Sequence, residues 1–397
     1  MKTIFALLLI LVLVFAGYRR SFRSLKLPLL ARRFYLTGIE YLFLGFALGP
    51  GFLNILDAQT QLGLAPLCAL VLGWVGLLTG FQFEIPKLRR VPKSHLIAAV
   101  VAGGITACLL MFGAWWVLPQ VLSLPREAYI LSGVAIAAAA CNTAQVSLAL
   151  NPLARAPQNR PLANLIQIMS SADGALALAV FSVAFLLRPD ATQHMHPGWL
   201  TLSVTVCILG QLFLFLLFLN RRRSQEELTV VLMGVVILGS GVASMLDLSP
   251  LIVNFVTGVL LVNITREKER LYGMIAAVEK PAYLILLVFL GATWQLDSFL
   301  YYFGGLMYFS WRILAKTAGG FAAVQAIPSL RGMPPGLGLG LLDHGGMSMA
   351  ILLDFSMSFS QTYTVPVVSA ILIGVVVNEL LSPSFIGLIL EGRRHGA

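Results

Sequence analysis

Asp173 stands near the middle of PLANLIQIMSSADGALALAVFSVAFLL, Pro161 to Leu187, and is the one ionised residue of that run. The run is long enough for a tilted helix to cross a bilayer, which takes roughly 20 residues or slightly more. A carboxylate at mid-membrane costs about 2.5–3.5 kcal/mol on insertion scales, so such a residue faces a cavity and binds or relays a cation. The blander reading is an Asp paired with an arginine for structure alone. Neutral oxygens recur at similar depth: ACNTAQVSLALNP (140–152) carries Asn142, Thr143, Gln145 and Ser147. Such oxygens beside a carboxylate suit Na+ or K+, hard cations that prefer oxygen ligands. Asp173 is the expected ligand of the metal cation, and Asn142, Thr143, Ser170 and Gln167 are its candidate companions.

Two buried bases need partners. Arg312 and Lys316, in YFSWRILAKTAGG, lie four apart and share one helix face. Lys316 can snorkel toward the inner surface, whereas Arg312 has long apolar flanks on both sides. The candidate counter-charges are Asp173, Asp343 and Glu379. His344, beside Asp343, is either a pH-responsive group or a donor to a freed backbone carbonyl. Glu84, at the inner end of its span, marks an interface.

The elements that must hold these residues are membrane helices. The chain is 58% hydrophobic and 11% charged, against roughly 25% charged in an ordinary soluble protein. This is a polytopic, all-α membrane protein with the lipid bilayer as solvent. The net charge of +10 sits in short loops, which fits membrane topology and argues against a nucleic-acid partner. Cys68, Cys108, Cys141 and Cys207 all lie in apolar segments, so neither a disulfide framework nor a CxxC metal site is expected.

Thirteen spans are expected: a short first helix within 1–17, then spans near 34–50, 63–83, 96–118, 128–150, 161–187, 199–220, 228–246, 250–264, 281–297, 299–326, 336–356 and 364–391. With the N-terminus outside, the inner loops hold 22 of the 27 Lys and Arg and the outer side holds three, Lys2, Arg126 and Arg188. That asymmetry orients the chain with a cytoplasmic C-terminus, as a multi-pass protein of the cell (inner) membrane. Met1 to Gly17 reads as a retained helix rather than a cleaved signal, because Arg19, Arg20, Arg23 and Lys26 follow at once.

Two spans look interrupted. The 140–152 stretch is one, and GLGLGLLDHGGMSM (336–349), where Asp343 and His344 run into Gly345 and Gly346, is the other. Freed backbone groups at membrane depth must face protein or a cavity. The chain reads as one transporter domain, 1–397, with a first repeat at 1–187, a linking helix at 199–220 and a second repeat at 228–391. The interruptions then fall at matched places, the fifth and twelfth spans, in repeats of opposite orientation. Matched breaks in inverted repeats point to a transporter's binding site.

Several blocks resemble a known family. TGIEYLFLGFALGPGFLNIL (37–56), LGLAPLCALVLGWVGLLTGFQFEIPKLRR (62–90), LSPLIVNFVTGVLLVNITREKERL (248–271) and EKPAYLILLVFLGATWQLD (279–297) are similar, in order, to blocks of the monovalent cation:proton antiporter-2 family, a group of sodium/hydrogen exchanger-like membrane proteins. The resemblance runs from about Thr37 to Pro383. It implies thirteen helices, two interrupted helices crossing at mid-membrane, and a core near 96–187 and 299–391 that moves against a dimerisation domain of a homodimer. It also implies an Asp on the sixth helix that takes either a proton or a cation, and Asp173 matches it by position. Relatives often carry an acid six residues before that Asp and an Asn, Asp or Gln directly before it; here Gln167 and Ala172 occupy those places. The family usually has a small or neutral residue where Glu379 stands, so Glu379 is expected to replace the missing acid and pair with Arg312 or Lys316. Alternatively, Pro383 shortens the last helix and leaves Glu379 near the inner interface.

The expected function is secondary antiport of Na+ or K+ against H+ through one carboxylate, electroneutral because one site acid takes one ion at a time. No cofactor is implied beyond the transported ions. Two alternatives share the fold: a transport-inactive sensor or regulatory protein, and a sodium-coupled organic anion transporter with Arg312 holding the substrate carboxylate. An enzyme is not expected, since HExxH, GxSxG and nucleotide-loop motifs are lacking.

Overall fold

The computed structural model describes residues 2–19, 38–122, 124–188, 197–219 and 225–392. The basic run at 20–33, the arginines at 221–223 and those at 393–394 lie outside the described residues, as does Thr37 at the head of the first family-like block. Among the described residues the structure is all helical, without strands. We number the main helices α1 (Lys2–Arg19), α2 (Ile39–Leu48), α3 (Ala65–Gly80), α4 (Lys93–Val121), α5 (Arg126–Cys141), α6 (Val146–Leu150) and α7 (Arg160–Leu186). They continue as α8 (Pro197–Leu219), α9 (Gln225–Met245), α10 (Pro250–Ile264), α11 (Glu279–Thr293), α12 (Phe299–Ala326), α13 (Gly346–Ser358) and α14 (Gln361–Gly392).

Among the described residues, six helical stretches are long and apolar enough to cross a membrane, and six shorter apolar helices of 10–17 residues accompany them. The 28-residue α12, which carries Arg312 and Lys316, covers the stretch expected as the eleventh span. Both expected interruptions are present. Helix stops at Cys141 and resumes at Val146; a 3-10 turn, Leu337–Leu341, stops short of α13 at Gly346. The two breaks touch, because Ala144 N–H donates to Asp343 O at 3.0 Å.

The helices pack in two groups. The first holds α1, α2, α3, α9, α10 and α11; the second holds α4, α5, α7, α12, α14 and the 3-10 turn. Helix α8 lies against α9 and α10, and α13 touches members of both groups. Lipid tails are as apolar as the side chains, so close backbone approach across small residues replaces hydrophobic drive. The seam between α3 and α10 shows this: a Cβ on Gly76 would lie 2.2 Å from Leu251 O. At one end of this group, Glu84 is shielded and bridged by Lys268 at 2.5 Å and Lys87 at 2.9 Å. Those two ammonium groups hold its carboxyl below the ordinary carboxylate range.

Candidate functional site

The second helix group gathers its polar residues where the chain breaks cross. Ending a helix early frees backbone carbonyls, and the end of α5 leaves those of Ala140, Cys141 and Asn142 pointing inward. The 3-10 turn does the same for Leu341, Leu342 and Asp343. Helix α12 passes between them and presents both bases. Each carbonyl cluster is the negative end of a short helix, a favourable place for a cation.

Lys316 and Asp173 meet here. Lys316 is 2% and Asp173 1% exposed, and Nζ lies 2.9 Å from Oδ2. The ammonium also donates to Cys141 O at 2.6 Å and to Thr143 Oγ1 at 2.9 Å. Thr143 in turn donates its hydroxyl to Asp173 Oδ2 at 2.6 Å, with Leu341 O at 3.2 Å as the alternative acceptor. Ser170, one turn before Asp173 on α7, donates to Thr143 O at 3.1 Å. Asp173 Oδ1 is buried without a partner among the described residues. Its neighbour across the gap is α4, where a Cβ on Gly103 would lie 3.4 Å away.

Arg312, fully buried, takes a different set. Its Nε donates to Ala140 O at 3.1 Å and its Nη2 to Asn142 O at 3.2 Å and Asp343 O at 3.5 Å. Its Nη1 donates to Leu342 O and, at 3.2 Å, to Asn378 Oδ1. The planar fork of five N–H groups matches carbonyls converging from two chain breaks, which a lysine could not. The expected pair of Glu379 with Arg312 or Lys316 is therefore not what the structure has. On a helix, neighbouring residues are rotated by about 100°, so Asn378 faces Arg312 while Glu379 turns aside. Glu379 Oε1 instead accepts the backbone N–H of His344 at 3.1 Å. Nor does Asp343 balance Arg312 with its side chain. Its carboxylate accepts Ser147 N–H and Ser147 Oγ–H, each at 2.7 Å, and so caps the start of α6.

The remaining candidates divide. Asn142 is buried, with Nδ2 donating to Ser348 Oγ at 3.3 Å; a Cβ on Gly345 would lie 2.4 Å from that nitrogen, which is why the second break needs glycine there. His344 Nε2 lies 3.0 Å from Tyr308 Oη. Gln167 is exposed and joins none of the Asp173 contacts; only its backbone carbonyl is used, by Gln145 and Ser171. Sequence reasoning passed over Asn378, Ser348, Tyr308 and the Cys141 carbonyl. Asn378 could have been found as the polar neighbour of Glu379; a backbone carbonyl carries no signal in the sequence.

A cavity of about 500 Å3 leads to this place. Thr143, Ser170, Asn142 and Gly345 line its floor, Tyr283 its wall, and Glu279 and Lys280, at the start of α11, its mouth. Among the described residues no group of three or more His, Cys, Asp or Glu could hold a metal ion. The donor set beside Asp173 is one carboxylate and neutral oxygens, which suits a monovalent cation as cargo.

No family model matches the chain, and no curated protein matches it in sequence. Solved structures do match. The sodium proton antiporter MjNhaP1 from Methanocaldococcus jannaschii, at pH 8, superposes with TM-score 0.67 at 18% identity, over 98% of this chain and 99% of that one. A second structure of that antiporter, from an electron-microscopy map, matches with TM-score 0.59 at 18% identity, over 93% of this chain and 97% of that one. The fold is that of a sodium/proton antiporter along nearly the whole chain.

Proposed function

We propose that the protein exchanges a monovalent cation, Na+ or K+, for H+ through Asp173, with one ion crossing per proton. The observation that carries this reading is the ammonium of Lys316, held by Cys141 O, Thr143 Oγ1 and Asp173 Oδ2. Those three oxygens, beside a cavity floor, are what a dehydrated cation needs. Lys316 thus acts as an internal substitute that an arriving cation displaces. A proton on Asp173 displaces it equally, by removing the charge that attracts it.

The charge count follows. With Lys316 charged throughout, the site bears one net positive charge whether Asp173 holds a cation or a proton. Both loaded forms then cross alike, and exchange is electroneutral. In this reading the α4, α5, α7, α12 and α14 group carries the site across against the other group, within a homodimer in the cell membrane, N-terminus outside. The chain divides into inverted repeats at 1–187 and 228–391, with 199–220 linking them. The organic-anion alternative fits less well, because Arg312 is 0% exposed and its donors are spent on protein oxygens.

The test is purified protein in liposomes with an internal pH dye, challenged with Na+, K+ and Li+ gradients. Cation-dependent proton movement is expected in the wild type and is lost in Asp173→Asn, whose amide cannot exchange a proton. Retained exchange in Asp173→Asn sinks the assignment. A rate that responds strongly to a potential clamped with valinomycin and K+ overturns the one-for-one count and assigns proton release to Lys316.

A further inference from the structure

Glu379 has no part in the exchange described so far, and its surroundings are unusual. It is partly buried on α14, yet among the described residues the one hydrogen bond to its carboxylate comes from His344 N–H at 3.1 Å. No lysine or arginine among the described residues forms an ion pair with it. The groups facing it are Asp343 and His344 in the second break, Arg312 on α12 and Tyr283 on α11. Arg312 is within electrostatic reach, but its donors are turned to carbonyls and Asn378. Asp343 is a like charge, already satisfied by Ser147. His344 points its Nε2 at Tyr308 and leaves Nδ1 buried without a partner among the described residues.

A buried carboxylate with one donor, no ion-pair partner and an acid nearby is poorly solvated when ionised, and a proton relieves that. The cavity comes close to it: His344, whose N–H binds Glu379, and Tyr283 both line that space. We propose that Glu379 is a second proton-binding site, distinct from Asp173 and set at the second chain break.

Its link to the first site is helix α12. Arg312, which senses Glu379, stands one turn from Lys316, which Asp173 holds. Neutralising Glu379 leaves the Arg312 charge less balanced beside the cation position and weakens cation binding there. Protons then oppose the cation twice, directly at Asp173 and at a distance through Glu379, whose proton sets the affinity and is not one of the ions exchanged.

This inference rests on the exchange reading for its transport readout, and a second readout does not. The apparent KM for the cation is measured from about pH 6 to pH 9 in liposomes. Direct competition by one proton raises KM at most tenfold per pH unit, so the wild type is expected to be steeper. Glu379→Gln, which keeps an oxygen for His344 N–H, is expected to remain active and to rise no more than tenfold per unit. Glu379→Asp restores the steeper rise, which a purely structural role would not require. Infrared difference spectra with pH, taken in Asp173→Asn protein, are expected to show a carboxylic-acid C=O band that Asp173→Asn/Glu379→Gln lacks. Identical steepness in wild type and Glu379→Gln, or an identical band in the two Asp173→Asn proteins, overturns the proposal. Transport surviving in Asp173→Asn refutes the Asp173 reading and leaves the infrared test of Glu379 standing.

Discussion

The two chain breaks use one device for two purposes. Asn142 in the first and Asp343 in the second are each followed five residues later by a serine, Ser147 and Ser348. Each reaches across to the other's serine: Asp343 binds Ser147, and Asn142 binds Ser348. The difference is charge. The acid of the second break is consumed in capping α6, with both its oxygens occupied. The first break carries an amide and a hydroxyl instead, and its acid is supplied from α7, where Asp173 keeps one oxygen without a partner among the described residues. An acid capping a helix is structural, whereas in the proposed exchange the acid facing the carbonyls and the Lys316 ammonium is the one that turns over ions.

Arg312 joins the two breaks, so removing it should have the largest effect. Arg312→Met strands several buried carbonyls at about 1–3 kcal/mol each, and a loss of at least about 3 kcal/mol is expected in detergent-solubilised protein. Double-mutant cycles locate its partner. Strong coupling is expected with Asn378→Leu and weaker coupling with Glu379→Gln; the reverse order would return the role to Glu379.

Next comes the pair that distinguishes the first break. Asp173→Asn leaves Lys316 buried without its counter-charge, a loss of about 3–5 kcal/mol for breaking one side of such a pair. Adding Lys316→Met should recover much of the thermal stability while exchange stays absent. If stability does not recover, the pair is not an isolated unit and the cation position has further partners.

The smallest expected effect sharpens the contrast itself. Asp343→Asn removes a charged cap whose hydrogen bonds are worth about 1.5–3 kcal/mol, and should lower thermal stability while exchange persists. Asn142→Ala should do the opposite, costing about 1 kcal/mol or less while impairing cation-driven proton movement in liposomes. Equal behaviour of the two variants would mean that the breaks are not specialised.

Much of this was legible in the sequence. Long apolar runs marked the helices, polar residues at membrane depth located the first break, and polar residues beside paired glycines located the second, because these signals depend on a residue and its near neighbours. Asp173 was legible for the same reason: one charge in an apolar run stands out. Partner choice was not. Three acids and two bases were visible, but which met which depends on the rotation of each helix about its axis, set by packing. One position on α14 separates Asn378 from Glu379, and it decided the partner of Arg312. Gln167 failed as a candidate through the same rotation, since on α7 it points away from Asp173. The carbonyls that hold both bases are invisible in principle, because every residue has one.

The reach of Arg312 also bears on how the chain is made. It satisfies Asn142 O from 170 positions later in the sequence. A ribosome adding roughly 5–20 residues per second needs about ten to thirty seconds to span that interval. Throughout it the end of α5 has entered the membrane with its carbonyls uncapped. Biogenesis must shelter that half-built helix, at the insertion machinery or in bound water, until α12 arrives to close it.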